Sequence, residues 1–170
     1  MHDLAWLNSL PNTEAAKELL QCCGSTRWAK QMTEARPYVS LKALIATANQ
    51  IWWSLAQSDW LEAFRSHPKI GEKKAAEPVS TQAHQWSGQE QAGVTTASQQ
   101  TVDSLATLNH AYEQKFGFIF IICATGKTPD EMLSALRERL QHEAADELPI
   151  AAAEQSKITE LRLKKLLTSG

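Results

Sequence analysis

The 170-residue sequence lacks the features of several large protein classes. Basic residues are not in excess, since 17 Lys and Arg face 19 Asp and Glu and the formal net charge is −2. A phosphate backbone would find little positive charge here, so we expect no nucleic-acid partner. The longest clean apolar run, Phe118 to Ala124, falls far short of the roughly 20 residues that a membrane helix needs. We therefore expect no membrane partner either.

Cysteine is also scarce. The three cysteines are Cys22, Cys23 and Cys123, and no two of them have CxxC spacing. An odd number without a disulfide framework predicts reduced thiols. Met1 to Leu10 lacks the charged-then-apolar pattern of a signal peptide, and residues 168–170 form no peroxisomal or retention tag. These features predict a cytoplasmic protein.

What the sequence does contain is helical periodicity along most of its length. Apolar residues recur at three- and four-residue steps from Leu41 to Leu55 behind Ser40, a good N-cap. A second stripe, from Val102 to Phe116, is closed by Gly117. Further helices are predicted at Leu4–Leu10, Glu14–Cys23, Asp59–Arg65, after the capping box that starts at Thr128, and from about Ile150 to Leu167. The pattern predicts an all-α, single-domain bundle of about eight helices that spans residues 1–170.

Two stretches depart from this pattern. Phe118 to Cys123 has the composition of a strand, but a lone strand would leave its backbone groups unpaired. We expect a buried helix or an extended segment there. Ser66 to Gln85 has no apolar period, and irregular loops inside compact domains often carry function. We expect the functional residues in this second stretch.

His67 is the first candidate for chemistry. Pro68 disfavours helix at the residue before it, so the Asp59 helix is predicted to end near His67. There the helix dipole would favour the protonated imidazole. The alternative is that His67 only caps the helix or lies exposed. If His67 is catalytic, its replacement by Asn should hardly change stability, because a residue between a helix end and Pro68 is not expected in the core; a variant that is fully active but unstable would favour the capping interpretation.

Ser87-Gly88-Gln89-Glu90 forms a second candidate. Its S-x-x-E spacing matches a capping box, in which Ser87 begins a helix and Glu90 reaches back to its amide. Spacing alone favours this structural interpretation. The functional alternative is that free amides at such a helix start bind a carboxylate or urea-like oxygen, with Glu90 and Gln91 beside them.

The remaining polar residues predict no metal site. His110 and Glu113 are three residues apart, but the di-iron motif runs in the opposite order and needs two copies. HExxH, glycine-rich phosphate loops and GxSxG are absent. Asn109 interrupts an apolar face, where a buried amide that orders the helix packing is expected.

Four blocks, in their order along the chain, carry a family resemblance. They are Phe64-Arg65-Ser66-His67-Pro68-Lys69-Ile70-Gly71, Ser87-Gly88-Gln89-Glu90-Gln91-Ala92-Gly93, Asn109-His110-Ala111-Tyr112-Glu113-Gln114-Lys115-Phe116-Gly117-Phe118 and Lys157-Ile158-Thr159-Glu160-Leu161-Arg162-Leu163. Together they resemble the family of 2-oxo-4-hydroxy-4-carboxy-5-ureidoimidazoline (OHCU) decarboxylases. The resemblance spans nearly the whole chain and is weakest around Cys22-Cys23-Gly24.

The resemblance implies an all-α homodimer that acts late in urate degradation and makes (S)-allantoin from OHCU. It implies that His67 is the catalytic acid or base, that Pro68 shapes the pocket beside it, and that Glu90 is also catalytic. The expected substrate-binding residues are Pro68, Ser87, Gln91, Arg162 and the backbone of Ile122, Cys123, Ala124, Thr125 and Gly126. Two interpretations of Arg162 stay open: a fork for the substrate carboxylate, or a surface pair with Glu160 or Glu113.

The implied reaction explains why no cofactor is expected. The substrate carries its own electron sink, a ring carbon–nitrogen double bond beside the carboxylated carbon. The protein must then orient the substrate, handle charge and deliver one proton to one face of an ene-diol-like intermediate. His67 could hold that proton near neutrality, and Glu90 could bond the ring hydroxyl or ureido nitrogens and keep the histidine charged.

Two other functions would also fit much of the sequence. A helical protein-interaction module without chemistry would explain the capping boxes and apolar stripes equally well. The second is a hydrolase acting on the preceding pathway intermediate, or on allantoin, and ring opening instead of carbon dioxide release would identify it. Six tryptophans exceed what a domain of this size usually needs, so we expect the homodimer to bury part of a tryptophan-rich surface.

Overall fold

The computed structural model describes residues 2–70, 81–92 and 98–168, and these residues contain nine α-helices and no β-strand. The helices are α1 (Leu4–Ser9), α2 (Asn12–Cys22), α3 (Thr26–Glu34), α4 (Leu41–Ser54), α5 (Gln57–Arg65), α6 (Thr81–Glu90), α7 (Gln99–Phe116), α8 (Pro129–Arg139) and α9 (Ala144–Thr168). The all-α prediction is confirmed, with one helix more than the eight expected.

Local signals set several helix boundaries as predicted. The Ser40 side chain accepts a hydrogen bond from the Ala43 amide at the start of α4. Thr128 caps α8 in the same way, with Pro129 at the first helical position. Gly117 ends α7 in a left-handed conformation, with φ of 81°, which glycine adopts without steric cost.

Helix α3 was not predicted, because part of its N-terminal cap comes from far along the chain. The Ser25 side chain accepts from the Trp28 amide at 3.2 Å, which is a local signal. The Thr26 amide donates to the Glu62 carboxylate at 2.9 Å, across 36 residues. A nine-residue helix shows only a short apolar stripe, so the distant carboxylate supplies stability that a local pattern does not reveal.

Helix α9 starts about one and a half turns before the predicted position. The prediction placed its start near Ile150, just after Pro149, but Pro149 lies inside the helix. The Glu143 carbonyl accepts from the amides of Asp146 and Glu147 and begins the helix there. Pro149 removes one helical donor within an otherwise continuous α9.

The segment after α7 is extended and buried, which confirms one of the two predicted conformations. Phe120 to Ala124 are each at most 7% exposed, and none of them is helical. Cys22, Cys23 and Cys123 form no disulfide, as predicted, and all three are buried.

The chain forms two compact units. The first comprises Met1–Ala63 and Ser156–Gly170, and the second comprises Phe64–Gln155. In the first unit, the buried Trp28 donates from its indole nitrogen to the Ala48 carbonyl at 3.1 Å. The core of the second unit consists of Ile70, Leu105, Tyr112, Phe120, Ile122, Ala124, Met132, Leu133 and Leu136. A single domain over residues 1–170 stays a prediction.

Candidate active site

His67 lies at the end of α5, where the sequence placed it. Its amide donates to the Phe64 carbonyl at 3.2 Å, and Pro68 stops the helix. The prediction that His67 could lie exposed is wrong, because only 8% of the residue is accessible and Pro68 is buried as well. Neighbouring elements cover a side chain that the sequence placed at a loop.

The His67 imidazole is held by a residue from the far end of the second unit. Its Nε2 lies 2.6 Å from Oε1 of Gln155 on α9, and Gln155 is fully buried. A hydrogen bond to an amide oxygen requires a proton on Nε2. The contact therefore fixes the orientation of the ring and favours the tautomer with its proton on Nε2.

Ser87, Glu90 and Gln91 lie at the C-terminal end of α6. Ser87 is inside the helix, and the Gln91 amide donates to its carbonyl at 3.1 Å. The capping-box interpretation is therefore wrong. Ala83, Trp86 and Ser87, three and four residues apart, bury one side of a helix that has already begun at Thr81.

This placement changes the electrostatics expected around Glu90. The predicted free amides of a helix start cannot come from these residues, because a helix end presents carbonyl groups and the negative pole of the dipole. Glu90 is half-buried there and Ser87 is 5% exposed. The prediction that Ser66 to Gln85 is irregular is wrong from Thr81 onward, while residues 71–80 lie outside the described residues.

The backbone from Ile122 to Gly126 forms the end of the extended segment and a turn. Ile122, Cys123 and Ala124 are buried, whereas Thr125 and Gly126 are exposed. The Cys123 amide donates to the Glu154 carboxylate of α9 at 3.1 Å. That amide is already engaged, so it could donate to a ligand only by leaving Glu154.

Lys127 fixes the other side of this turn. Its ammonium donates to the Cys123 carbonyl at 2.9 Å, and its amide donates to the Ala124 carbonyl at 3.0 Å. The turn thus has a carboxylate on its amide side and an ammonium on its carbonyl side.

The pKa of the Cys123 thiol depends on the charges around the turn. Burial raises its pKa, Lys127 opposes that effect, and the carboxylates of Glu154 and Glu90 raise the pKa further. Glu90 is therefore close enough to act electrostatically on the turn. Glu90 and Cys123, two of the predicted site residues, are thus linked electrostatically within the second unit.

Arg162 is the one predicted site residue that belongs to the first unit. It is 2% exposed, and its Nη1 donates to the Gln21 carbonyl at 3.2 Å. Burial raises the pKa of the nearby Cys23 thiol to about 12, and the Arg162 guanidinium acts against this increase.

The interpretation of Arg162 as part of a surface pair is wrong, since its side chain is buried. The two carboxylates proposed as its partners pair with lysines instead: Glu160 with Lys164, and Glu113 with Lys69.

Sequence reasoning missed Glu154 and Gln155. Both are polar residues at buried positions of α9 that follow three alanines, and that contrast was the only available signal. It also missed a buried ionic cluster, which we call the Glu147 cluster: Tyr112, Arg139, His142 and Glu147. Asn109 is buried as predicted, and its side-chain amide donates to the Ile70 carbonyl at 3.0 Å.

In the Glu147 cluster, three side chains converge on one carboxylate that is fully buried. Arg139 reaches Oε1 through Nε and Nη2, each at 2.6 Å, and the Tyr112 hydroxyl donates to the same oxygen. His142 lies 2.9 Å from Oε2. Arg139 also donates to the Ile121 carbonyl at 2.5 Å, so the cluster supports the extended segment just before Ile122.

The described part of the chain has no cluster of three or more His, Cys, Asp or Glu side chains that could hold a metal ion. None of its helices combines the length and apolar character needed to span a membrane. The candidate site comprises the His67 imidazole, the Glu90 carboxylate and the backbone turn that Glu154 and Lys127 hold. These groups can bind polar ligands and move protons.

Comparisons with known proteins assign this all-helical chain to a family. The family model described as OHCU decarboxylase matches residues 8–164. The chain therefore belongs to the OHCU decarboxylase family. It is 46% identical over 148 residues to the uric acid degradation bifunctional protein TTL of Arabidopsis thaliana, a match that covers 86% of this chain and 45% of that protein. It is 31% identical over 139 residues to the 2-oxo-4-hydroxy-4-carboxy-5-ureidoimidazoline decarboxylase of Amia calva, covering 82% and 79%.

Solved structures agree with this assignment. An OHCU decarboxylase crystallised in the presence of (S)-allantoin has 42% sequence identity and a TM-score of 0.77, covering 90% of this chain and 99% of that one. An (S)-allantoin synthase with a TM-score of 0.71 is 21% identical, covers 97% and 54%, and supports the fold alone. The chain spans less than half the length of its bifunctional relatives, at 45%, 32% and 33%.

Proposed function

We propose that the protein is a cofactor-independent decarboxylase that converts OHCU to (S)-allantoin and carbon dioxide in urate degradation. The observation that carries this proposal is the 42% identity, over 90% of the chain, to an OHCU decarboxylase solved in the presence of (S)-allantoin. A second support is local, because a buried imidazole and a half-buried carboxylate lie in the same compact unit.

In the proposed reaction, the bond between the ring carbon and the carboxylate breaks and carbon dioxide leaves. The bonding electron pair forms a double bond to the neighbouring carbon that bears the ureido group, and the π electrons of the carbon–nitrogen double bond move onto the ring nitrogen. One proton is then added to the carbon that bears the ureido group. The ring hydroxyl becomes the carbonyl of allantoin as its proton passes to the nitrogen that received the electron pair.

We assign the proton donated to carbon to His67. A positioned imidazole exchanges protons near neutral pH, and one acid on one wall of the pocket would protonate a flat intermediate from one face. Glu90 bonds the ring hydroxyl or ureido nitrogens. Pro68, Ser87 and Gln91 complete the proposed pocket.

The backbone of Ile122 to Gly126 supplies the proposed contacts to the ring amides. Since the Cys123 amide already donates to Glu154, these contacts fall on the other backbone groups of the turn. Arg162 is proposed to hold the substrate carboxylate as a fork.

The deciding experiment is an assay with freshly generated OHCU that follows carbon dioxide release and allantoin chirality. We expect carbon dioxide and (S)-allantoin at equal rates, and turnover unchanged after exhaustive dialysis against a chelator. Ring opening without carbon dioxide would favour the hydrolase alternative. No conversion at all would leave the interaction module as the better function.

Solvent labelling tests the stereochemistry. In deuterated water the enzyme should give (S)-allantoin with deuterium at the carbon that bears the ureido group, read early because allantoin racemises slowly by itself. Residual turnover of His67→Asn should give a more nearly racemic product. Pure (S)-allantoin from that variant would move the donor role to Glu90 or an ordered water.

We also propose a cytoplasmic homodimer. The three cysteines form no disulfide, which supports the compartment, since reduced thiols are typical of the cytosol. Three exposed apolar side chains of the first unit support self-association, namely Val39, Leu41 and Trp53. The other tryptophans are at least half-buried, so Trp53 is what remains of the predicted tryptophan-rich surface. Sedimentation of a monomer at micromolar concentration would rule the dimer out.

A further inference from the structure

Gln155 contacts His67 and has no role in the mechanism proposed above. The two residues are 88 positions apart, both are buried, and Nε2 lies 2.6 Å from Oε1. A glutamine that is fully buried keeps its amide in place because the surrounding side chains leave it few rotamers. The imidazole is therefore held by a rigid group on a helix.

We propose that Gln155 is a positioning residue that keeps a proton on Nε2 of His67, so that the proton which comes and goes is the one on Nδ1. This inference deepens the proposed function and rests on it for its catalytic meaning. An amide oxygen only accepts, so a ring held by Oε1 carries its proton on Nε2 in both charge states.

The neutrality of Gln155 matters as much as its position. A carboxylate at the same place would favour the imidazolium and hold the proton more tightly. An amide oxygen orients the ring but adds no full negative charge. His67 can then release its proton to the substrate carbon, as the protonation step requires.

Glu154, the next residue on α9, serves the other half of the candidate site. Its carboxylate accepts from the Cys123 amide at 3.1 Å, while Gln155 accepts from His67. One turn of one helix thus sets the distance between the imidazole and the 122–126 backbone. Arg65 and Lys69 lie two residues before and after His67, Glu154 precedes Gln155, and Glu90 ends α6; the variants below leave these four ionisable side chains unchanged.

The test reads the tautomer directly in the unliganded protein. Nitrogen-15 NMR of labelled histidine distinguishes protonated from unprotonated ring nitrogens, and the His67 signals are identified by their absence from His67→Asn. At a pH where the His67 imidazole is neutral, we expect its one proton on Nε2 in the wild type. Gln155→Leu should give a mixture of both tautomers. Gln21→Leu, which removes another buried glutamine on α2, should leave the His67 signals unchanged.

Gln155→Glu is the second variant, and it matters most if Gln155→Leu does not fold. A carboxylate within hydrogen-bonding distance of the imidazole should raise the pKa of His67 by about 1 to 3 units, because it stabilises the protonated form. The pH profile of kcat should move to higher pH by the same amount. Gln155→Leu should lower kcat by about 10- to 100-fold with little change in KM, since tautomer and ring orientation act on the proton transfer.

A wild-type ring with its proton on Nδ1 would overturn the inference, because the amide would then be rotated with its nitrogen donating to Nε2. An unchanged tautomer in Gln155→Leu, or an unchanged pKa in Gln155→Glu, would also overturn it. These readouts need no substrate. Fixed Nε2 protonation without carbon dioxide release would therefore refute only the proposed function, and decarboxylation with a mixed tautomer would refute only this inference.

Discussion

The second unit contains two buried polar groups of opposite design, the Glu147 cluster and the His67–Gln155 pair. Glu147 is a full charge that receives hydrogen bonds from a guanidinium, a phenol and an imidazole. Burial raises the pKa of Tyr112, so its hydroxyl keeps the proton that it donates. His67 instead meets a neutral amide. The Glu147 carboxylate, surrounded by donors, stabilises the fold. The neutral Gln155 amide orients the His67 imidazole and still lets it gain or lose a proton.

The largest effect should come from breaking the Glu147 cluster. Glu147→Leu leaves Arg139 buried without its carboxylate, and breaking a buried pair costs about 3–5 kcal/mol of unfolding free energy. The double variant Glu147→Leu with Arg139→Met should be more stable than the single variant, because it removes the unpaired charge. Urea denaturation measures both. If Glu147→Leu loses less unfolding free energy than Gln155→Leu, the contrast between the two groups is contradicted.

Next is His67→Asn, which should reduce turnover by about 10²–10⁴-fold, the usual contribution of a positioned acid or base. The expectation that its stability would hardly change needs correction, since His67 is buried and bonded to Gln155. We now expect a loss of about 1–3 kcal/mol, typical of a buried partner left unsatisfied. A stable variant with full activity would remove His67 from the mechanism.

Glu90→Gln should lower turnover toward the lower end of that range, by about 10²-fold, because it keeps the shape and one hydrogen-bonding oxygen. Glu113→Gln is the matched control. That carboxylate pairs with Lys69 on the surface at 2.7 Å, and exposed pairs contribute little. Equal losses of turnover in the two variants would mean that Glu90 has no special role.

The smallest effect concerns the Cys123 thiol. The Glu90 carboxylate helps to raise its pKa, so Glu90→Gln should lower that pKa and leave more thiolate at pH 8. Alkylation of Cys123, measured with Cys22 and Cys23 replaced by Ser, should then speed up by less than about tenfold. Lys127→Met should slow it, because the ammonium has the opposite effect. An unchanged rate in Glu90→Gln would separate Glu90 from the turn.

The sequence predicted those features that depend on neighbours along the chain. Ser40, Gly117 and Thr128 set helix ends through contacts within four residues, and Pro68 placed His67 at the end of α5. The same local logic failed at Ser87, whose spacing to Glu90 matches a cap although the helix had already begun.

The features that the sequence could not predict depend on distant contacts. The cap of α3 uses Glu62, and the burial of His67 depends on α9, 88 residues away. No periodicity distinguishes Gln155 as a partner of an imidazole from a solvent-exposed glutamine. The family resemblance supplied the proposed roles of His67 and Glu90 but did not include Gln155.

The spacing of polar residues on α9 limits how this protein can change its length. Glu147 and Glu154 are seven residues apart, which is nearly two full turns, and Gln155 follows at once. Inserting or deleting one residue between Ala151 and Ala153 would rotate one end of the helix against the other by about 100° and shift it by about 1.5 Å. The anchor at Arg139 and the partners of Cys123 and His67 could not then all be satisfied. Homologues should therefore vary in loop lengths but keep this stretch of helix free of insertions.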